Sequence, residues 1–182
     1  MSISIRPMSI KDAVGQLHVE YRILNYLCVA GVLNCTSPDE LENFPATIED
    51  VISVLIEHWL HKNMPSHTLG ADLLIFNEVK SPIADFTNFL KSADYASVVP
   101  QFKLWIVDNH FFAWSYGDRV GRCWDLVTFN TVEKVEFPVT TVSLDIASFL
   151  FRRADVLLVE TKEETDVKDV PQSFSKPTYT VA

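Results

Sequence analysis

The chain has 182 residues, 48% of them hydrophobic and 21% charged, which is typical of a folded globular protein rather than a disordered one. Its formal net charge of −9 argues against a nucleic-acid partner, because proteins that bind nucleic acid normally present a basic face. No uninterrupted apolar run approaches the length that spans a membrane, so we expect no membrane partner.

The number and spacing of the cysteines indicate the cellular compartment in which the protein works. There are three, an odd number at irregular spacing, and this does not predict a disulfide framework. The first residues lack the basic-then-apolar pattern of a secretion signal. We therefore expect the protein to work in the reducing cytoplasm of the cell that produces it or of a host cell.

The first half of the chain predicts helices. Ser9, with Asp12 three residues later, is a typical N-cap pair, and apolar residues then recur at the spacings of an amphipathic helix as far as Asn34. Residues 73–79 fit either a short buried strand or a helical turn. Three later positions offer further helix starts: Ser37 before Pro38, Thr47 with Asp50, and Ser81 before Pro82.

The densest apolar alternation covers residues 102–129, which hold three of the four tryptophans. Asp108 and Asn109, and later Gly117 and Gly121, provide the left-handed backbone that short turns need. A period of two predicts strands at residues 102–107, 111–116 and 123–129, with a more charged edge strand at 132–139.

The order of elements predicts an α+β fold, because helices come first, strands second, and no βαβ alternation occurs. We expect N-terminal helices packed on a C-terminal antiparallel meander of about four to five strands. Ser143 is a candidate cap for one more helix, and a last strand is favoured at residues 155–160. Residues 1–160 would form one domain, and the acidic and polar residues 161–182 an extended C-terminal tail.

One set of residues suggests a cysteine hydrolase. His110 opens a predicted strand and Asp125 lies on the next, past a glycine-containing turn. Over this hairpin alone, the order resembles the His-to-Asp hairpin of papain-like and transglutaminase-like folds. The resemblance implies a catalytic thiol, either Cys28 or Cys35, which His110 would activate and Asp125 would orient.

Histidines near the end of the third helix offer a weaker pattern. His58 and His61 lie one helical turn apart, and His67 follows shortly after. They could bind zinc if His67 folded back and a carboxylate such as Glu57 or Asp72 joined them. Two histidines near a helix C-terminus are more simply explained by the helix dipole, so the sequence alone predicts no metal and no cofactor.

We interpret the chain as a non-catalytic, protein-binding accessory or assembly protein, of a kind common in viruses and phages. It would act on a protein partner, or by self-association, through the aromatic sheet and the C-terminal arm, because interfaces favour aromatic and arginine anchors. The cysteine hydrolase is the alternative. The candidate binding residues are Trp105, Phe112, Trp114, Tyr116, Trp124, Arg119 and Arg122.

Overall fold

The computed structural model describes residues 2–35, 37–92 and 97–161, and it confirms the predicted α+β class. Helices fill most of the N-terminal part, and a mostly antiparallel sheet follows in the C-terminal part. The predicted tail lies outside the described residues, except Thr161, which ends the last strand. Within the described ranges, no helix combines the length and apolar character that a membrane crossing requires.

Two helices of the N-terminal part begin at predicted capping side chains, which are Ser9 and Thr47. The Asp12 N–H donates to Ser9 Oγ at 3.1 Å. The Asp50 N–H donates to Thr47 Oγ1 at the same distance. The helical segments of this part are α1 (Ile10–Gln16), α2 (Tyr21–Val29), a short 3-10 helix (Pro38–Glu42), α3 (Ile48–Asn63) and α4 (Leu69–Ser92).

The prediction of one helix from Ile10 to Asn34 is wrong, because the chain turns between α1 and α2. His18 adopts left-handed backbone, with φ of 56°, and a right-handed helix cannot continue through that conformation. The apolar spacing continues past the turn because α1 and α2 both bury one face in the same core.

The predicted helix start at Ser81 is also wrong, because α4 runs without interruption through Pro82. Residues 73–79, left open by the sequence, are therefore helical. Proline costs about 3 kcal/mol in a helix interior. The burial of one long face offsets that cost, and its apolar members are Ala71, Ile75, Phe76, Val79, Pro82, Ile83, Phe86 and Leu90.

The main sheet confirms the antiparallel meander. Its strands lie in the order β6-β5-β3-β2-β7, with β4 paired to β3. The predicted alternation of faces is observed, since Phe102, Leu104 and Ile106 are buried and the residues between them are half-buried. The strands are β2 (Phe102–Val107), β3 (Phe111–Tyr116), β4 (Arg119–Val120), β5 (Cys123–Asp125), β6 (Asn130–Val132) and β7 (Thr141–Asp145).

Two predicted strands are wrong in extent because left-handed residues interrupt them. The strand expected at 123–129 ends at Asp125, and Phe129 has φ of 56°. The strand expected at 132–139 ends at Val132, and Phe137 has φ of 52°.

The strand that pairs with β2 on its other side is β7, which contains Ser143. Ser143 is therefore not the helix cap that was predicted. Asp145 has that role for α5 (Ile146–Arg152), since its Oδ1 accepts from the Ser148 N–H at 2.9 Å.

The first and last described segments of the chain pair in a separate two-stranded sheet. A short helix, α6 (Ala154–Leu157), leads into β8 (Leu158–Thr161), which pairs with β1 (Ser2–Ile5). The strand favoured at 155–160 is therefore correct only in its second half. β1 was not predicted, because four residues are too few for apolar alternation to identify a strand.

Candidate functional site

Three connections meet at one end of the main sheet. The turn at residues 108–110 joins β2 to β3, and Val107 faces Phe111 across it. Asp125 faces Phe111 as well, so residues 126–129 lie at the same end. Residue 140 also lies there, because Thr141 faces Val107. Loops are where binding residues concentrate when a rigid sheet positions them.

A cleft of about 530 Å³ lies between these loops and the connection from α3 to α4. The two sides touch closely, since a Cβ added to Gly70 would lie 3.3 Å from the Phe129 ring. The helical side consists of residues 63–68 and Ala71, and the sheet side of Asn109, His110, Leu126, Val127 and Phe129. We call this the loop-end cleft.

A buried polar cluster borders the cleft at His67. Its Nε2 lies 3.3 Å from Glu57 Oε1, with hydrogen-bond geometry, and 3.0 Å from Asp72 Oδ1, as an ion pair. Its Nδ1 donates to the Met64 carbonyl oxygen, which can only accept. Tyr26 donates its hydroxyl to Asp72 Oδ2. Both carboxylate side chains are almost fully buried, as is the imidazole.

The electrostatics of this cluster follow from that geometry. The Asp72 and Glu57 carboxylates beside the ring raise the pKa of His67 to about 10, against burial, which lowers it. Burial and the hydrogen bond to Asp72 raise the pKa of Tyr26 above its ordinary value. The arrangement therefore favours a positive charge at His67 Nε2.

His61 completes a group that could hold a metal ion. It lies in the last turn of α3, exposed, with its ring edge-on to His67 and the ring centroids 5.7 Å apart. One ligand atom from each of Glu57, His61 and His67 lies within 4.8 Å of the others. His58, which the sequence pattern also included, is not a member of this group.

The rim of the cleft is held in place by Asp108. Its Oδ1 accepts from the N–H groups of Val139 and Thr140 at 2.9 and 2.8 Å. These backbone hydrogen bonds lower the pKa of the Asp108 carboxyl. They attach the irregular segment before β7 to the turn between β2 and β3.

Exposed apolar side chains lie on and around this end of the sheet. Phe137 is 90% exposed and Val139 is 87% exposed, on the segment that Asp108 holds. Val127 and Phe129 lie on the neighbouring turn and line the cleft. Leu69, at the start of α4, follows the connection that forms the other wall. These five residues are the loop-end surface.

The predicted binding residues are mostly occupied within the domain. Phe112 and Trp114 are buried in the core, at 0% and 8% exposure. Tyr116 packs edge-on against Phe86 and Phe102. Three further members are placed as follows: Trp105 and Trp124 are half-buried, and Arg122 is exposed.

Arg119 is tied to its neighbours. Its guanidinium pairs with Asp85 and lies over the Trp114 ring, 5.7 Å from the ring centroid. These contacts place Arg119 against α4 and the sheet, with half of its side chain exposed.

The predicted catalytic residues are each engaged elsewhere. Cys28 and Cys35 are buried and form a disulfide with each other. His110 lies beside the strand that ends at Asp125, since its carbonyl oxygen accepts from the Leu126 N–H, but its Nδ1 contacts the Asp108 carbonyl oxygen at 2.7 Å. The Asp125 carboxylate accepts from the Val127 N–H at 2.8 Å. The structure brings the histidine and the acid together, but neither of the two predicted thiols is free.

The loop-end surface was not predicted, because the candidate binding residues were chosen mainly from the predicted strands. A usable signal was present, since residues 127–139 place two phenylalanines and several valines among turn-forming and charged residues. Apolar residues outside regular structure have no strand face to bury them, and this favours exposure.

Comparisons with protein-family models, with curated proteins and with solved structures found no match to this chain.

Proposed function

We propose that this protein acts by binding another protein through the loop-end surface and the cleft beside it. The observation that carries this proposal is the exposure of Phe137 and Val139, large apolar side chains on a segment that Asp108 fixes to the sheet. Exposed apolar patches mark interaction sites, and these two side chains lie two residues apart on that segment. The partner we expect is a chain segment that inserts an apolar side chain into the cleft.

The dimensions of the site suit such a partner. A volume of about 530 Å³ falls within the range of binding pockets, roughly 300–1,000 Å³. The lining combines apolar side chains with polar ones, among them His67 and His110, and such polar groups fix the orientation of a bound chain. The anchored rim also reduces the entropy cost of ordering loops on binding.

The proposal moves the binding surface from the aromatic faces of the meander to its loop end. Phe112 and Trp114 fill the core and cannot reach a partner. The C-terminal arm, which the sequence also favours, stays a second proposed contact, and it lies outside the described residues.

We also propose a cytoplasmic accessory or assembly role, of the viral or phage kind. Its support is compositional: small size, acidity and irregular cysteine spacing. The Cys28–Cys35 disulfide weighs against a reducing compartment, since such bonds persist mainly in oxidising ones. The redox state of this pair in producing cells therefore tests the location.

The binding proposal is tested with a photo-crosslinking residue placed at Val127 in the full chain, and a matched one at Val29. Both valines are exposed, but Val29 lies on α2, away from the cleft. We expect one discrete crosslinked species from position 127, either a partner or a second copy, and its loss in a Phe137→Ser/Val139→Ser variant. Sedimentation velocity then separates self-association from a different partner.

Equal crosslinking at the two positions, or a product that persists in the double variant, would overturn the proposal. Both substituted side chains are almost fully exposed, so the variant should keep the stability of the parent chain. A melting curve checks this.

A further inference from the structure

We propose that Glu57, His61 and His67 form a binding site for a divalent ion of the zinc type, with Asp72 supporting it. The geometry points to this because one ligand atom from each of the first three residues lies within 4.8 Å of the others. The site borders the loop-end cleft at His67, but metal binding can be measured whether or not the cleft binds a protein.

The fold positions the ligands in two steps. Glu57 and His61 lie one helical turn apart on α3, so their side chains project from the same face. The chain then turns back after Asn63, where the helix ends, and brings His67 over that face.

The tautomer of His67 is suited to a metal ligand. Its Nδ1 must carry a proton, because it contacts the Met64 carbonyl oxygen. The Nε2 lone pair therefore points toward the carboxylates whenever the ring is neutral. A backbone carbonyl that orients a ligating histidine through its other nitrogen is a common supporting contact in zinc sites.

The strongest support for a divalent ion comes from the charge of the buried carboxylates. Glu57 and Asp72 are 1% and 2% exposed, and buried carboxylates are normally paired or bound to metal. Glu57 Oε2 is buried and has no hydrogen-bond partner among the described residues. A proton on His67 supplies one positive charge against these two carboxylates, whereas a divalent ion in the same place supplies two.

The donor set selects the class of ion. Two imidazole nitrogens and one carboxylate suit zinc and its neighbours, while calcium and magnesium prefer oxygen ligands alone. Three protein ligands also leave one tetrahedral position open, as in zinc sites that bind water or a substrate group. The Asp72 carboxylate, with Oδ1 3.0 Å from His67 Nε2, adds negative charge beside the proposed ion.

The test is isothermal titration of the metal-free full chain with Zn²⁺ at about pH 8, because competition from protons for the ligand atoms falls as the pH rises. We expect about one Zn²⁺ per chain. His61→Ala and His67→Ala should each weaken binding by at least about 100-fold, more than the loss of a supporting residue causes. His58→Ala is the matched control on the same helix and should bind like the parent chain, because His58 is outside the group.

If His67→Ala does not fold, the His61→Ala variant still tests the metal site, because the His61 side chain is exposed and contributes little to the core. Visible absorption of the Co²⁺-loaded chain gives a second readout of tetrahedral nitrogen and oxygen ligation. Absence of binding, or binding that His61→Ala leaves unchanged, would overturn the proposal.

Discussion

Trp114 packs its indole directly against Gly121, so closely that a Cβ on residue 121 would overlap the ring. The Gly121 N–H also donates to the Trp114 carbonyl oxygen at 2.8 Å. Trp114 is almost fully buried and carries the Arg119 guanidinium near its face. The glycine therefore allows the chain after β4 to pack directly over the buried Trp114 ring.

Replacement of this glycine should destabilise the protein. We expect Gly121→Ala to lower the free energy of unfolding by about 1–3 kcal/mol, because the buried ring has to shift to make room for the methyl group. Urea denaturation measures the change. Gly15→Ala is the control, since a Cβ there meets nothing within 4 Å, and a gain of about 0.5–1 kcal/mol is expected in a helix. Equal effects at the two positions would contradict the packing argument.

The two turn glycines show what sequence can and cannot predict. Gly117 adopts φ of 54°, as the turn chemistry of the sequence predicted. Gly121 was predicted to serve the same purpose, yet this fold requires it for space, because the contact with Trp114 leaves no room for a Cβ. A local pattern contains the backbone preference of a residue, but not the side chain that packs against it.

Ser9 and Thr47 cap their helices as predicted, and they lead to a second test. Ser9→Ala and Thr47→Ala should each cost about 0.5–2 kcal/mol, because each removes the acceptor for a backbone N–H. Ser37→Ala should cost much less, since Ser37 makes no side-chain cap hydrogen bond. Thermal unfolding of the three variants provides the comparison. A loss at Ser37 as large as at Thr47 would mean that the cap hydrogen bond is not the cause.

The candidate site was predictable only in part. The sequence contained the spacing of Glu57, His61 and His67, because the first two share a helix. Whether His67 would turn back depended on the connection between α3 and α4, and loop geometry is not encoded in periodicity. The exposed rim was harder still, since it depends on Asp108 binding residues 139–140, which lie about thirty positions later in the chain.

The cysteines allow a direct test of the hydrolase alternative. In the oxidised native protein we expect iodoacetamide to spare Cys28 and Cys35, because they are bonded to each other and buried. Cys123 should react slowly at neutral pH, since burial and the charge of Asp125 raise the pKa of its thiol. Mass spectrometry of each cysteine, with and without a reductant, measures this. Fast labelling of Cys28 or Cys35 at about pH 6, lost in His110→Ala, would instead support the hydrolase.

Acid should release the rim of the cleft through Asp108. The folded-state pKa of this group lies below its ordinary value of 3.8, so the hydrogen bonds to Val139 and Thr140 stabilise the fold above that pH. Their contribution is lost as the pH falls through the lower, folded-state pKa. In an NMR titration, the amide signals of Val139 and Thr140 should therefore shift together at a pH below 3.8. Asp108→Asn should abolish that shift, because asparagine also tolerates the left-handed backbone at this position but has no charge to titrate. The Val127 amide is the internal control: it binds Asp125, and it should still titrate in the variant. If the signals of Val139 and Thr140 still titrate in Asp108→Asn, another group controls the rim.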